Sequence, residues 1–228
     1  MGYIIEALIG AFRLVFSLNP EVMSIALLSL KVALSATFVA ALLGIPLAYL
    51  VTTREFTGKG TLITLFNTLM ALPTVVVGLF VYSFLSRKGP LGFLDLLFTP
   101  TGIILGDIIL AFPLIVGLTI AAVNSVDSRA RVTAMSLGAS PRRVSVTILM
   151  EARFGLMAAL FNGFGRVVAE VGSAMMLGGN IRGYTRTLTT AVALETGKGE
   201  FAFAMALGII LLAVAFTVNM LFRRFQRY

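Results

Sequence analysis

The chain carries little of the usual catalytic equipment. It has no His and no Cys, which removes the commonest general base, the commonest metal ligand and all thiolate or disulfide chemistry. Two triplets, Gly58-Lys59-Gly60 and Gly197-Lys198-Gly199, lack the rest of a phosphate-cradling loop. No ATP hydrolysis, cofactor or metal is therefore expected in this chain. What remains is charge inside apolar sequence. Arg166 and Glu170 stand four apart, a spacing at which side chains on one helix meet, and charges in such runs face a bundle interior or a pathway. The pair is expected either to orient a gating region or to hold the fold as a static ion pair. Met175 and Met176 follow, thioethers able to form an adaptable hydrophobic gate or to fill gaps in ordinary packing. Just beyond, Asn180, Arg182, Thr185, Arg186 and Thr187 present donors that suit an oxyanion, and the arginines would raise local anion concentration. Docking of a partner and simple solvation of a loop stand equally open for these residues.

The elements that must position them belong to a membrane protein. Of 228 residues, 58% are hydrophobic and only 12% charged, where a soluble domain carries about 25% charged residues. A bilayer core of about 30 Å needs about 20 apolar residues as helix. Five segments qualify: Met23 to Val51, Thr61 to Leu85, Thr101 to Val126, Phe154 to Leu177, and Phe201 to Phe222. The fold class is therefore an all-α integral membrane bundle of five transmembrane helices. Pro46, Pro73 and Pro113 fall inside these spans, where each removes a backbone donor and tends to kink the helix. Residues 1–19 differ. Ile4, Ile5, Leu8, Ile9, Phe12, Val15 and Phe16 recur at helical spacing, with Glu6 and Arg13 off that face. The run is too short to span and ends at Asn19-Pro20, which predicts an interfacial helix; a cleaved signal peptide fits poorly, because no basic segment precedes the apolar residues. Residues 20–228 read as one membrane domain without internal repeats.

The net charge of +8 is scattered between apolar blocks, so it reads as loop charge that sets orientation rather than as a nucleic-acid surface. One set of loops holds Arg54, Lys59, Arg129, Arg131, Arg142, Arg143, Arg153, Arg223, Arg224 and Arg227; the other holds Arg87, Lys88, Arg182, Arg186 and Lys198. Ten against five makes the first set cytoplasmic, with the N-terminus outside and the C-terminus inside. Lys31 is expected to snorkel at the outer end of the first span, Asp107 to lie close to the outer boundary, and Glu195, Lys198 and Glu200 to form a polar outer loop.

The longest inside segment, 127–153, is too polar for lipid, yet Val132, Met135, Val144 and Ile148 give it a partial apolar face. Gly138 followed by Ser140-Pro141 ends one short helix and starts another. Two short helices under a bundle offer a grip to a soluble partner; a plain solvated loop would need neither the turn nor the apolar positions.

This segment resembles the signature loop of ABC-importer permeases, whose pattern is Glu-Ala-Ala, three residues, Gly, nine residues, then Ile-x-Leu-Pro. Aligned on Gly138, Ala134 matches the second Ala and Ile148 the Ile, while Val132, Thr133, Met150 and Glu151 depart from the pattern. The core Leu137-Gly138-Ala139-Ser140 is kept, and Pro141 and Arg142 follow it. A second stretch, Ala169 to Leu188 with Gly-Gly-Asn-Ile-Arg-Gly-Tyr-Thr-Arg-Thr-Leu, is similar to molybdate and above all tungstate permeases, and Asn67 to Pro73 and Gly89 to Phe93 fit the same group. The resemblance covers essentially the whole chain. It implies a type I importer permease working as a homodimer, with two ATPase subunits carrying ATP and Mg on the inside and an extracytoplasmic substrate-binding protein outside. It makes the 127–153 loop the coupling helix of the ATPase and the cargo tungstate or molybdate, with sulfate or phosphate permeases sharing the fold. An ion-coupled carrier acting alone would leave this loop without a purpose and would be expected to show paired inverted repeats, which the sequence lacks.

Overall fold

The computed structural model describes residues 2–226, and among these the regular structure is entirely helical. The α-helices are α1 (Gly2–Phe16), α2 (Pro20–Thr53), α3 (Lys59–Leu69), α4 (Thr74–Leu85), α5 (Pro100–Asn124), α6 (Ser128–Ser136), α7 (Pro141–Glu151), α8 (Arg153–Val168), α9 (Gly172–Gly178), α10 (Leu188–Lys198) and α11 (Phe201–Gln226). Arg227, counted above among the inside charges, lies outside the described residues.

Packing partners along α5 establish the direction of each crossing. Val32 of α2 packs beside Ile103, Ala36 and Ala40 beside Ala111, and Ala48 and Val51 beside Val116 and Ile120, so α2 and α5 run parallel. The contact is made largely of small side chains, which is how helices approach closely where lipid removes any hydrophobic preference for one another. Leu62, Ile63 and Phe66 of α3 sit near Ile120, whereas Val77, Val81 and Leu85 of α4 sit near Leu110 and Leu105. The α3–α4 pair therefore travels the full way back as one broken span. Helix α8 runs antiparallel to α2, with Leu156 beside Tyr49 and Val167 beside Ala33, and α11 returns parallel to α2, from Leu207 beside Val22 to Val218 beside the α2 midpoint. Counting each bent pair once gives five crossings.

Two spans depart from the uninterrupted helices that hydropathy predicts. The second is bent by 100° between Leu69 and Thr74, with Pro73 as N-cap of α4; Pro46 and Pro113 sit within continuous helices. The fourth ends at Val168, and Ala169-Glu170-Val171 separate it from the short α9. The N-terminal helix also differs in its packing. Ala7 and Ala11 are buried and Gly10 meets Ala202 of α11, while Ile4, Ile5, Leu8, Ile9, Phe12 and Phe16 point away from the chain. The Tyr3 hydroxyl donates to the Gly199 carbonyl at 3.2 Å and its ring meets Phe201 edge-on.

Residues 180–200, whose first donors the sequence leaves open to an oxyanion, a partner or solvent and whose end reads as a polar loop, form a folded clasp over the face opposite α6 and α7. Thr187 and Thr190 build a capping box that starts α10, and Leu188 N donates to Ser29 Oγ on α2 at 2.7 Å. Asn19 caps α2 through Glu21 N and Val22 N, and Glu21 in turn receives both arms of the Arg182 guanidinium. Arg186 is buried rather than looped out, 3.3 Å from Glu195, which Lys198 also pairs at 2.9 Å. Glu195 is a buried residue within α10, not part of a polar loop; only Glu200 lies past the helix end. Asp107, expected close to the outer boundary, is buried beneath the clasp, 2% exposed, beside Ser29, Thr187 and Thr189. Loss of Arg186 leaves the buried Glu195 carboxylate with only the half-exposed Lys198 as counter-charge. Arg186→Met is expected to lower stability by about 3 kcal/mol, read as a drop in Tm of the purified protein in detergent, and adding Glu195→Leu should recover much of the loss.

Candidate functional site

The residues singled out in the sequence fall into three groups. On one face, α6 and α7 make a platform. Asp127 caps α6 by accepting from Arg129 N at 2.9 Å. At its other end Gly138 N bonds Met135 O and Ala139 N bonds Ala134 O, both at 3.0 Å, the paired bonds by which a helix is closed with a left-handed residue. Gly138 supplies that conformation at φ +76°, and a Cβ there would meet nothing within 4 Å. The requirement at this position is thus backbone freedom, not space. Ser140 is extended, as the residue before a proline must be, and Pro141 opens α7.

The apolar residues of the platform divide into two sets. Val144 and Ile148 are buried against Ala122, Val123 and Ala152, with Ala134 and Ala139 packed on the same cluster. These residues fasten the platform to α5 and α8. Val132, Met135 and Leu137 point the other way, 63%, 58% and 81% exposed, with Arg142 also at the surface. The signature-loop residues therefore serve two purposes: Ala134, Gly138, Ala139, Ser140, Pro141 and Ile148 build and anchor the turn, and Leu137 with its neighbours presents an uncovered apolar tip.

The second group lies midway through the bundle, where Ala36 of α2 and Ala111 of α5 meet Phe164 and Val167. The expected Arg166–Glu170 pair does not form here, because α8 stops at Val168 and the two side chains part. Arg166 Nη2 donates to the Leu72 carbonyl at 3.1 Å, at the break before Pro73. Glu170 instead accepts from Ser173 N at 2.9 Å, starting α9, while Thr189 Oγ1 donates to the Glu170 carbonyl. Each broken span is thereby held by a side chain from another element. Asp107 and Glu170 line a small cavity with Ser29, Thr187 and Thr189, and Asp107 Oδ1 has no hydrogen-bond partner among the described residues. Two carboxamides that sequence reading passed over, Asn162 and Asn219, share a groove with Arg166 between α8 and α11. Their signal was available: Asn162 precedes Arg166 by one helical turn, and both carboxamides sit in otherwise apolar spans.

The third group is the clasp. Asn180 exchanges hydrogen bonds with Thr190, through Oδ1 at 3.0 Å and Nδ2 at 3.3 Å. Thr185 accepts from Ile181 N at 2.9 Å and donates to Gly178 O. With Thr187 occupied in the capping box, these donors close turns inside the protein rather than facing a ligand. Arg182 keeps an exposed side chain, tied to Glu21. Met175 and Met176 are half-buried on α9, and Met176 Sδ lies at the point where α4 approaches α9 across Gly78.

Comparison with known proteins places this architecture. Residues 20–228 match the family model described as binding-protein-dependent transport system inner membrane component. A probable anion ABC transporter permease protein of Haloferax volcanii is 42% identical over 208 residues, covering 89% of this chain and 90% of that protein. The tungstate uptake system permease protein TupB of Peptoclostridium acidaminophilum is 38% identical over 219 residues, covering 96% of each. Among solved structures, the MetNI methionine ABC transporter in inward-facing conformations superposes with a TM-score of 0.69 at 16% identity, covering 91% of this chain and 94% of that one. A membrane bundle of five crossings with a short-helix platform on one face, matched over nearly its whole length by the family model, makes the chain a member of the binding-protein-dependent transport system inner membrane components, the permease subunits of ABC transporters.

Proposed function

We propose that the chain is the permease subunit of an ATP-driven importer whose cargo is tungstate, with molybdate as the near alternative. The observation that carries this is the apolar tip of the platform, Val132, Met135 and Leu137, uncovered in this chain while Val144 and Ile148 of the same segment are packed down. Exposed apolar groups rimmed by polar ones mark a docking surface, and an ATPase subunit, itself carrying ATP and Mg, fits it. A lone ion-coupled carrier would have no use for such a platform.

Charge supports the orientation. The platform face gathers the C-terminal ends of α2 and α5 and the start of α8, the end of the molecule with the larger set of basic loop residues, so it is cytoplasmic and the clasp and N-terminus are external. The clasp would then receive the binding protein, two copies of the chain would face each other across the pathway, and two ATPase subunits would sit beneath. Energetics call for a driving force: a dianion moved against an inside-negative potential of ~100 mV costs about 4.6 kcal/mol, roughly 2.3 per charge, which a partner or a coupled ion must supply, and the platform offers a partner ATPase a place to dock.

The tungstate assignment comes from the relative of that name and from the Gly178-to-Leu188 stretch shared with such permeases. Reconstitution tests it. Purified chain alone in proteoliposomes should move no tungstate; addition of the ATPase, the binding protein and ATP should produce uptake, reduced by competing molybdate more than by sulfate. Uptake by the chain alone would refute the proposal. At the platform, Leu137→Asp should weaken ATPase association at least tenfold, about 1.4 kcal/mol, with little change in Tm, because Leu137 is 81% exposed. Gly138→Ala should instead cost about 1 kcal/mol of stability, since the left-handed turn itself becomes strained.

A further inference from the structure

Arg166 lies near the midplane with one hydrogen bond, to the Leu72 carbonyl, and no carboxylate partner among the described residues. A guanidinium has five N–H donors in a planar fork, so most of its capacity is unspent. An intramembrane cation normally faces a protein interior or a water-filled path and finds a counter-charge there. Here the protein supplies none.

The surroundings of Arg166 set a few polar groups on mostly apolar walls, Leu114, Leu211 and Leu212 among them. Arg166 opens onto a groove of about 620 Å³ between α8 and α11. Asn162, one turn earlier on α8, and Asn219 on α11 line the same groove, and both are exposed in this chain. Asn162 Nδ2 spends one hydrogen on the Ala158 carbonyl at 2.8 Å, leaving the other free. At Gly165, between Asn162 and Arg166, a Cβ would meet nothing within 4 Å, so the floor of the groove is open. A neighbouring groove between α2, α8 and α11 gives the contrast: Leu34, Phe38, Leu42, Met157, Leu160 and Leu221 line it almost without polar surface. Lipid tails suit the second groove. The first would leave two carboxamides and a cation unsatisfied in lipid.

We infer that the α8–α11 groove is the midplane station of the transport path, where the guanidinium of Arg166 and the carboxamides of Asn162 and Asn219 contact a tetrahedral oxyanion directly. This deepens the importer reading above and rests on it. Arginine with neutral amide donors matches oxyanion geometry through charge-assisted bonds. One cation per chain, unpaired with any second charge, also keeps the site shallow, and a passing ion must leave as readily as it enters. Arg166 thus touches cargo, and its bond to Leu72 ties that contact to the broken second span.

The chain has no Cys, so single thiols can be placed without background. Asn162→Cys and Asn219→Cys, each in the complex assembled with ATPase and binding protein, would be treated with methanethiosulfonates of similar size and opposite charge, rates being normalised to a free thiol. The expected result is modification at both positions, faster with the anionic reagent by about tenfold or more. That preference should vanish in an Arg166→Gln background, and Leu42→Cys on the apolar groove should stay unreactive. Equal rates for the two reagents, or no reaction at 162 and 219, would overturn the inference. Both cysteine variants retain Arg166, so the reagent comparison stands even if the Arg166→Gln complex fails to assemble. Protection by tungstate, molybdate and sulfate, tried separately, distinguishes the readings: an anionic preference protected by sulfate and not by tungstate would remove the proposed cargo and leave the station in place.

Discussion

A helix that breaks inside a membrane frees backbone groups that lipid cannot satisfy, and this constraint organises the centre of the molecule. Two spans break at the same depth. At one, the carbonyl of Leu72 is met by Arg166; at the other, Glu170 receives Ser173 N and gives its own carbonyl to Thr189. The Leu72 and Glu170 carbonyls are each met by a side chain from another element, Arg166 of α8 and Thr189 of α10, while the Glu170 carboxylate restarts its own helix. Arg166 and Glu170 are thus explained first by these backbone repairs. The cargo chemistry inferred for Arg166 uses what remains of its donors.

Platform and midplane are joined through α8. Helix α7, fastened by Val144 and Ile148, meets α8 at a 67° bend around Ala152, and Gly155 lets α8 close onto Ala122 of α5 within van der Waals reach. From there α8 runs uninterrupted to Arg166. The exposed apolar tip and the groove holding Arg166 are thus joined, among the described residues, by packed side chains and one continuous helix.

The sequence made the five apolar segments and the amphipathic platform legible, because length and periodicity are counted directly from residue types. Continuity was less legible. Hydropathy sums side chains and is blind to whether the backbone between them stays helical. Pro73 marked the break in the second span, but nothing local marks Ala169 to Val171, where the carboxylate of Glu170 and the hydroxyl of Thr189 take over backbone bonding from a distance of up to nineteen residues in the chain. The assumed pairing of Arg166 with Glu170 failed for that reason. Residues 180–200 misled in the opposite sense: their polarity reads as exposure, yet Thr185, Arg186, Thr187 and Glu195 are buried by capping and ion pairing with one another. Asn162 and Asn219 escaped notice because an uncharged amide scarcely lowers the mean hydropathy of a long apolar run. For the platform, the family pattern pointed to this turn, and only the fold separates Ile148, which anchors it, from Leu137, which is left exposed.

The seating of α1 on α11 bears on how the molecule is made. Tyr3 and Gly199, joined by a hydrogen bond, are 196 residues apart, so α1 cannot take its seat until α11 has been made. At about 5–20 residues per second the delay is roughly 10–40 s, during which the small-residue face of Ala7, Gly10 and Ala11 has no native neighbour. Synthesis halted before α11 would leave α1 without the helix on which it packs.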